Sequence, residues 1–165
     1  NEDLHDATLP EVIAKMREWA TPPKPKTLTI EVTIDVAAEL VGRFQRERAA
    51  MAAVALTTDT SVLTSIGNDY SFDRVFARQI EALGRKGDVA FSISTSGRSP
   101  NVVAALETAR VRGLETIAMT GCDGGPVGKA AAIHVNVPSD VTARVQEVHR
   151  TLLHIMCDLL ERAST

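Results

Sequence analysis

The sequence predicts an α/β fold, a three-layer αβα sandwich built on a mainly parallel sheet. Three observations predict it. Strand-like apolar runs alternate with helix-period stretches from Thr27 onward, and with right-handed crossovers such alternation gives a parallel sheet covered on both faces. Ala, Val, Leu and Ile carry the apolar content while aromatics make up 4%, as helices packed on a buried sheet require. Polar clusters close three of the runs, at Thr57 to Ser61, Ser94 to Ser99 and Thr120-Gly121, and ligands of such sheets bind beyond the carboxyl ends of the strands. With 165 residues, 44% of them hydrophobic, the chain can bury one real core. Residues 1–165 are read as a single domain, opened by a short helical segment at about residues 1–21.

The elements follow in order. Leu9 to Trp19 has helical spacing through Val12, Ile13, Met16 and Trp19, with Pro10 suited to a first turn. The run Pro22-Pro23-Lys24-Pro25-Lys26 ends it as a stiff connection. Thr27 to Ile30 is a short strand, and Ile34 to Phe44 a helix with Val36, Ala37, Leu40, Val41 and Phe44 as its apolar stripe. Ala52 to Leu56 is the second strand, followed by a short helix over Val62 to Ile66 and a turn at Gly67-Asn68-Asp69. Phe72 to Leu83 is helical through Val75, Phe76, Ile80 and Leu83, with Gly84 as its cap. Val89 to Ile93 is a strand and Pro100 to Arg112 a helix ending at Gly113. Glu115 to Met119 is a strand, Thr120 to Gly125 a turn, Pro126 to Ala131 a short helix, and Ile133 to Val137 the last strand. A long helix from about Val141 to Arg162 completes the pattern.

Charge and cysteine usage exclude several functions. A formal charge of -3 with no basic block argues against a nucleic-acid groove. Arg43, Arg46 and Arg48 cluster, but Glu47 interrupts them, the mark of a solvated helix end. Cys122 and Cys157 lie far apart without CxxC spacing, so free thiols in a reducing compartment are expected. No signal-peptide pattern opens the chain, and no apolar run approaches the roughly 20 residues that span a bilayer. The expectation is a cytoplasmic protein without a membrane partner.

The segment Phe91 to Asn101 carries the most chemistry. A buried apolar run passes through Ser94-Thr95-Ser96-Gly97-Arg98-Ser99 into a helix start at Pro100. Backbone N–H groups and several hydroxyls would converge there, which suits a phosphate; capping and turn chemistry alone is the competing reading. Arg98 is read as solvated. No Walker lysine and no dinucleotide fingerprint follow the turn. On the helices, Asp35 and Glu39 share a face at i and i+4, a pattern that is most often only solvated. Gln146 and His154 lie eight apart on nearly one side of the long helix, with Arg150 between them, and Met156 and Leu160 nearby would partly bury His154. From spacing alone His149 is an equal candidate. His5 and His134 are read as structural or exposed.

Five stretches carry a family likeness: Ala38-Glu39-Leu40-Val41-Gly42-Arg43-Phe44, Ala55-Leu56-Thr57-Thr58-Asp59-Thr60-Ser61, Gly67-Asn68-Asp69-Tyr70, Ser94 to Asn101, and Val145-Gln146-Glu147-Val148-His149. In this order, and covering nearly everything from Asp35 onward, they resemble the phosphoheptose isomerases of the sugar isomerase (SIS) domain superfamily. The resemblance implies a flavodoxin-like sheet and a homotetramer with sites at subunit interfaces. It implies conversion of sedoheptulose 7-phosphate, a phosphorylated seven-carbon sugar, to D-glycero-D-manno-heptose 7-phosphate, a step toward the heptose of bacterial lipopolysaccharide. By the same carry-over Ser94, Thr95, Ser96 and Ser99 would bind the phosphate, Glu39 and His154 would form the acid–base pair, and Asp59 and Gln146 would line the pocket. Zinc, which many members bind, would sit among Asp35, Glu39, Gln146 and His154.

The residue types suit that chemistry. Moving a proton between C1 and C2 through an enediol needs one group to abstract it and another to manage the oxygens, and a carboxylate and an imidazole can be tuned for both tasks. Two departures stand out. Where the family has a loop of the form Gly-Asn-Gly-Gly-Ser, Ile30 is followed only by Glu31-Val32-Thr33. Either the chain lacks that part of the cradle, or a mobile loop belongs between those flanks; three residues barely allow a crossover, which favours the second. Asp35 stands where zinc-binding members usually carry histidine, and it would give a harder oxygen-ligand site or none. A non-catalytic relative, one that binds the replication initiator or senses a sugar phosphate, is the alternative. Retention of both Glu39 and His154 speaks for the enzyme.

Overall fold

The computed structural model describes Ala14, residues 28–30 and residues 34–164. The N-terminal helix and proline-rich connection expected from the sequence therefore lie outside the described residues, except that Ala14 is helical. Strand β1 (Leu28–Ile30) leads to helix α1 (Ile34–Val41), then β2 (Ala53–Ala55), α2 (Thr60–Asp69), a 3-10 turn (Phe72–Arg74) and α3 (Ala77–Leu83). There follow β3 (Val89–Ser94), α4 (Pro100–Val111), β4 (Glu115–Gly121), α5 (Gly125–Ala130), β5 (Ile133–Val137) and α6 (Thr142–Ala163).

The described strands form one five-stranded sheet in the order β2-β1-β3-β4-β5, with every pair parallel. This is the flavodoxin-like order, in which the chain reverses direction of travel between β1 and β3 and opens a crevice beyond their carboxyl ends. The helix after β1 and the loop after β3 both border that crevice.

Side-chain alternation along the strands sorts the helices into two layers. Val89, Phe91 and Ile93 of β3, with Ile117 and Met119 of β4, face Val36 and Leu40 of α1 and Leu153, Met156 and Leu160 of α6. The opposite face carries small residues. Ala90 packs with Ala105 and Ala109 of α4 and Ile80 of α3, while Ala118 meets Val102 and Leu106 of α4 and Val127 of α5. Alanine on both sides lets α4 lie close to the sheet. Each fully buried Leu, Ile or Phe is worth about 1.5–3 kcal/mol in apolar surface removed from water, and β3 is buried along its whole length.

Several boundaries differ from the sequence reading. The helix expected to reach Phe44 stops at Val41, because the backbone of residues 44–46 turns to meet a buried carboxylate described below. The helix expected over Val62 to Ile66 runs from Thr60 to Asp69 and absorbs the predicted Gly67 turn. The single helix expected over Phe72 to Leu83 is broken between Arg74 and Ala77. Strand β4 continues through Thr120 and Gly121, where ladder pairing to Asn136 and Val137 outweighs the turn propensity. The loop expected between Ile30 and α1 is not in this chain: Glu31, Val32 and Thr33 are all that separates the two elements.

Candidate functional site

A cavity of about 530 Å³ lies between α1, the end of β3 and α6, lined by Glu39, Thr95, Gln146, His149, Arg150, His154 and Cys157 among others. Glu39 comes from the last turns of α1, Thr95 from the residue after β3, and the rest from α6. Spacing explains the α6 contribution: Gln146, Arg150 and Leu153 or His154 recur one turn apart. The structure thus brings Glu39, Gln146 and His154 together with one member of the hydroxyl loop.

His154 is exposed at the cavity rim rather than partly buried, and its ring stacks on Phe44, centroids 5.4 Å apart and planes 24° apart. His149 lies deeper, 3% exposed. Its Nε2 donates to the Thr120 carbonyl at 3.0 Å, which fixes the tautomer, while Nδ1 is buried without a hydrogen-bond partner. Burial lowers the His149 pKa against the smaller opposing effect of the Thr120 bond. Both histidines line the same cavity, so the 140° between them on the helical wheel separates depth more than function. Cys157 is held as the thiol: burial pushes its pKa up to about 12, and the Glu39 and Glu161 carboxylates push the same way.

The hydroxyl loop is interlocked with the turn after β4. Ser94 Oγ and Ser99 Oγ lie 2.9 Å apart, and Ser99 occupies the cap position of α4 with no cap bond from its hydroxyl. Ser96 Oγ accepts from Arg98 N at 3.2 Å. Gly97 has φ +66°, and a Cβ there would strike the Gly124 carbonyl. Gly97 O in turn accepts from Val127 N at 3.0 Å. A Cβ on Gly121 would meet the Thr95 carbonyl, so glycine is needed on both sides for two backbones to touch. Arg98, solvent-exposed as expected, pairs with Asp123 at 2.7 Å across the two loops. Thr95 belongs both to this loop and to the cavity wall.

Asp59 is not brought to the cavity. It sits beyond edge strand β2 and caps α2, its carboxylate accepting from Val62 N at 2.9 Å. The Asp35 side chain lies outside what is described. His134, read as structural or exposed, is buried, with Nε2 2.6 Å from Thr120 Oγ1.

Sequence reasoning missed the buried charges beneath the site. Glu161 is fully buried and accepts from the backbone N–H groups of Phe44 (2.5 Å), Gln45 (2.8 Å) and Arg46 (2.9 Å). Burial works to raise its pKa, but the N–H groups of Gln45, Phe44 and Arg46, with the Arg48 charge behind them, hold it below the usual value. Arg48, read from sequence as part of a solvated helix end, has a buried side chain with Nε 3.7 Å from Glu161 Oε1. Its Nη1 donates to Leu40 O at 2.8 Å and its Nη2 to Glu39 O at 2.6 Å. Glu161 had a signal: it stands on the stripe Leu153, Cys157, Leu160, where a lone carboxylate demands a partner.

Residues 31–121 match the model of the SIS domain family. The chain is 58% identical over 125 residues to the phosphoheptose isomerase of Citrifermentans bemidjiense, covering 76% of this chain and 65% of that protein. It therefore spans just under two thirds of the length of that relative. Among solved structures it resembles a phosphoheptose isomerase from Francisella tularensis with a TM-score of 0.85 and 32% identity, covering 96% of this chain and 89% of the other. That from Neisseria gonorrhoeae gives 0.79 and 41%, covering 92% and 84%.

Proposed function

Since this chain belongs to the phosphoheptose isomerase family of SIS-domain proteins, we propose that its α1–α6 cavity interconverts sedoheptulose 7-phosphate and D-glycero-D-manno-heptose 7-phosphate. The observation that carries the reading is the convergence of Glu39, Gln146 and His154 on one cavity that also contains Thr95 of the hydroxyl loop. Ser94, Thr95, Ser96 and Ser99 hold the phosphate and so set the sugar carbons against α1 and α6. In the ketose-to-aldose direction C1 loses a proton while O2 gains one, giving the enediol; O1 then loses a proton and C2 gains one. Glu39 serves C2, and His154 serves C1 or the oxygens. Gln146 orients the sugar hydroxyls. Binding energy on the remote phosphate holds the carbons still for these transfers.

Zinc belongs to the same proposal. Among the described residues no group of three or more His, Cys, Asp or Glu side chains is placed to hold a metal ion, but Glu39 and His154 offer a carboxylate and an imidazole, and Gln146 an amide oxygen, on one cavity. That donor set fits zinc, with Asp35 as the fourth candidate. When bound, zinc would polarise the substrate oxygens. Metal analysis of protein purified without chelator, with melting temperature followed on zinc addition, tests it.

The deciding experiment is incubation with sedoheptulose 7-phosphate in deuterated water, with and without zinc. Appearance of the aldose with deuterium at C2 is expected. Binding of the sugar phosphate with neither product nor exchange would favour the non-catalytic alternative.

A further inference from the structure

Two buried charges lie beneath Glu39 and His154, and neither lines the cavity. Glu161 stands near the end of α6, the helix that carries His154. Its carboxylate gathers three consecutive backbone N–H groups, those of Phe44, Gln45 and Arg46. Arg48 reaches back across the same turn to the carbonyls of Glu39 and Leu40, the exposed C-terminal end of α1. Leu40 O also accepts from Met51 N at 3.0 Å, so the end of α1 is satisfied by groups from beyond the helix. The two side chains face each other with Nε and Oε1 at 3.7 Å, each 1% exposed. That is ion-pair distance and too long for a hydrogen bond. A hydrophobic pair would fill this volume at no greater cost. What the charges add is direction: one fixes the α1 end that carries Glu39, the other fixes Phe44, and the Phe44 ring lies on His154.

We propose that Glu161 and Arg48 are positioning residues, a buried pair that sets the Glu39 and His154 side chains relative to each other by docking the α1 end and the Phe44 turn onto α6. The proposal rests on the reading of Glu39 and His154 as the acid–base pair. It assigns Phe44 as the contact through which the pair orients the His154 ring.

The test is Glu161→Gln, which keeps the shape but turns amide hydrogens toward backbone donors. In folded protein kcat should fall about 10- to 100-fold, the usual cost of a misplacement near 1 Å. KM for the sugar phosphate should stay within about threefold, because the phosphate loop is elsewhere. A lowered melting temperature with kcat per folded molecule intact would reduce the pair to a staple and overturn the proposal. Should Glu161→Gln not fold, Phe44→Leu and Phe44→Tyr carry the test: the first should lower kcat several-fold and the second restore it, and an unchanged Phe44→Leu would overturn it. If the wild-type chain shows no isomerase activity, the reading of the reaction falls by itself. The positioning is then read from the His154 ring proton resonances, which bear the ring current of Phe44. They should shift in Arg48→Lys, and unchanged resonances there would overturn it.

Discussion

Glu39 and His154 approach the cavity from different helices and different depths, one half-buried on α1 and the other exposed on α6. Glu39→Gln and His154→Asn should each cut turnover roughly 10²- to 10⁴-fold, the worth of a positioned proton-transfer group. Substrate should still bind, since Ser94 to Ser99 lie on another element; steady-state kinetics and calorimetry with the sugar phosphate separate the two. His149 should behave differently. Its folded pKa lies below the ordinary histidine value of about 6.5 because burial disfavours the charged form. The unfolded chain therefore binds more protons as pH falls below about 6.5, and stability present above that pH is lost toward the folded pKa. Melting temperature should drop between pH 7 and pH 5, and the drop should be shallower in His149→Gln. An equally steep drop in that variant would move the effect to another group.

At the scale of elements, the hydroxyl loop from Ser94 to Ser99 and the turn after β4 are interlocked as one piece. Gly97→Ala meets both an unfavourable φ, costing about 1–2 kcal/mol, and the Gly124 carbonyl. Gly121→Ala meets only the Thr95 carbonyl and the Val145 methyls. Both should weaken binding of phosphate esters, Gly97→Ala more, as titration calorimetry would show; unchanged affinity in both would separate the loop from the anion. This interlock also marks how far the sequence could be read. Period and punctuation were enough for β3, α4, β5 and α6, whose ends fall at Gly113, Pro100 and similar residues. They were insufficient where distant partners decide. Nothing local to Phe44 says that its N–H belongs to Glu161. Glu39, Gln146 and His154 were legible by spacing and resemblance. Asp59, which the resemblance placed in the pocket, lies away from this cavity, with one carboxylate oxygen capping α2.

Over the whole molecule, the chain leaves apolar side chains uncovered on its helical layers: Val148 and Ile155 on α6, Val41 at the end of α1, and Tyr70 and Phe72 between α2 and α3. A homotetramer, proposed here from the family and from these faces, would cover them. Sedimentation at working concentration should show a four-chain species, and a monomer would remove the proposal. Among the described residues no helix is long and apolar enough to cross a membrane.

The bond from Phe44 to the Glu161 carboxylate joins residues 117 apart in the chain, and that separation has a consequence for synthesis. Translation at the usual pace needs roughly 6–23 s to travel from one to the other. Through that interval α1, β1 and β2 exist without the partner that holds the Phe44 turn and faces Arg48. A nascent chain halted anywhere before Glu161 therefore holds Arg48 with its carbonyls but no counter-charge, and the Phe44 ring without an anchor. Closing so long a loop is slow, so the α1 end with Glu39 and the Phe44 turn against His154 should be among the last parts of the molecule to become ordered. On a stalled ribosome, protease resistance should appear over β3 and β4 before the segment from 42 to 50 is protected.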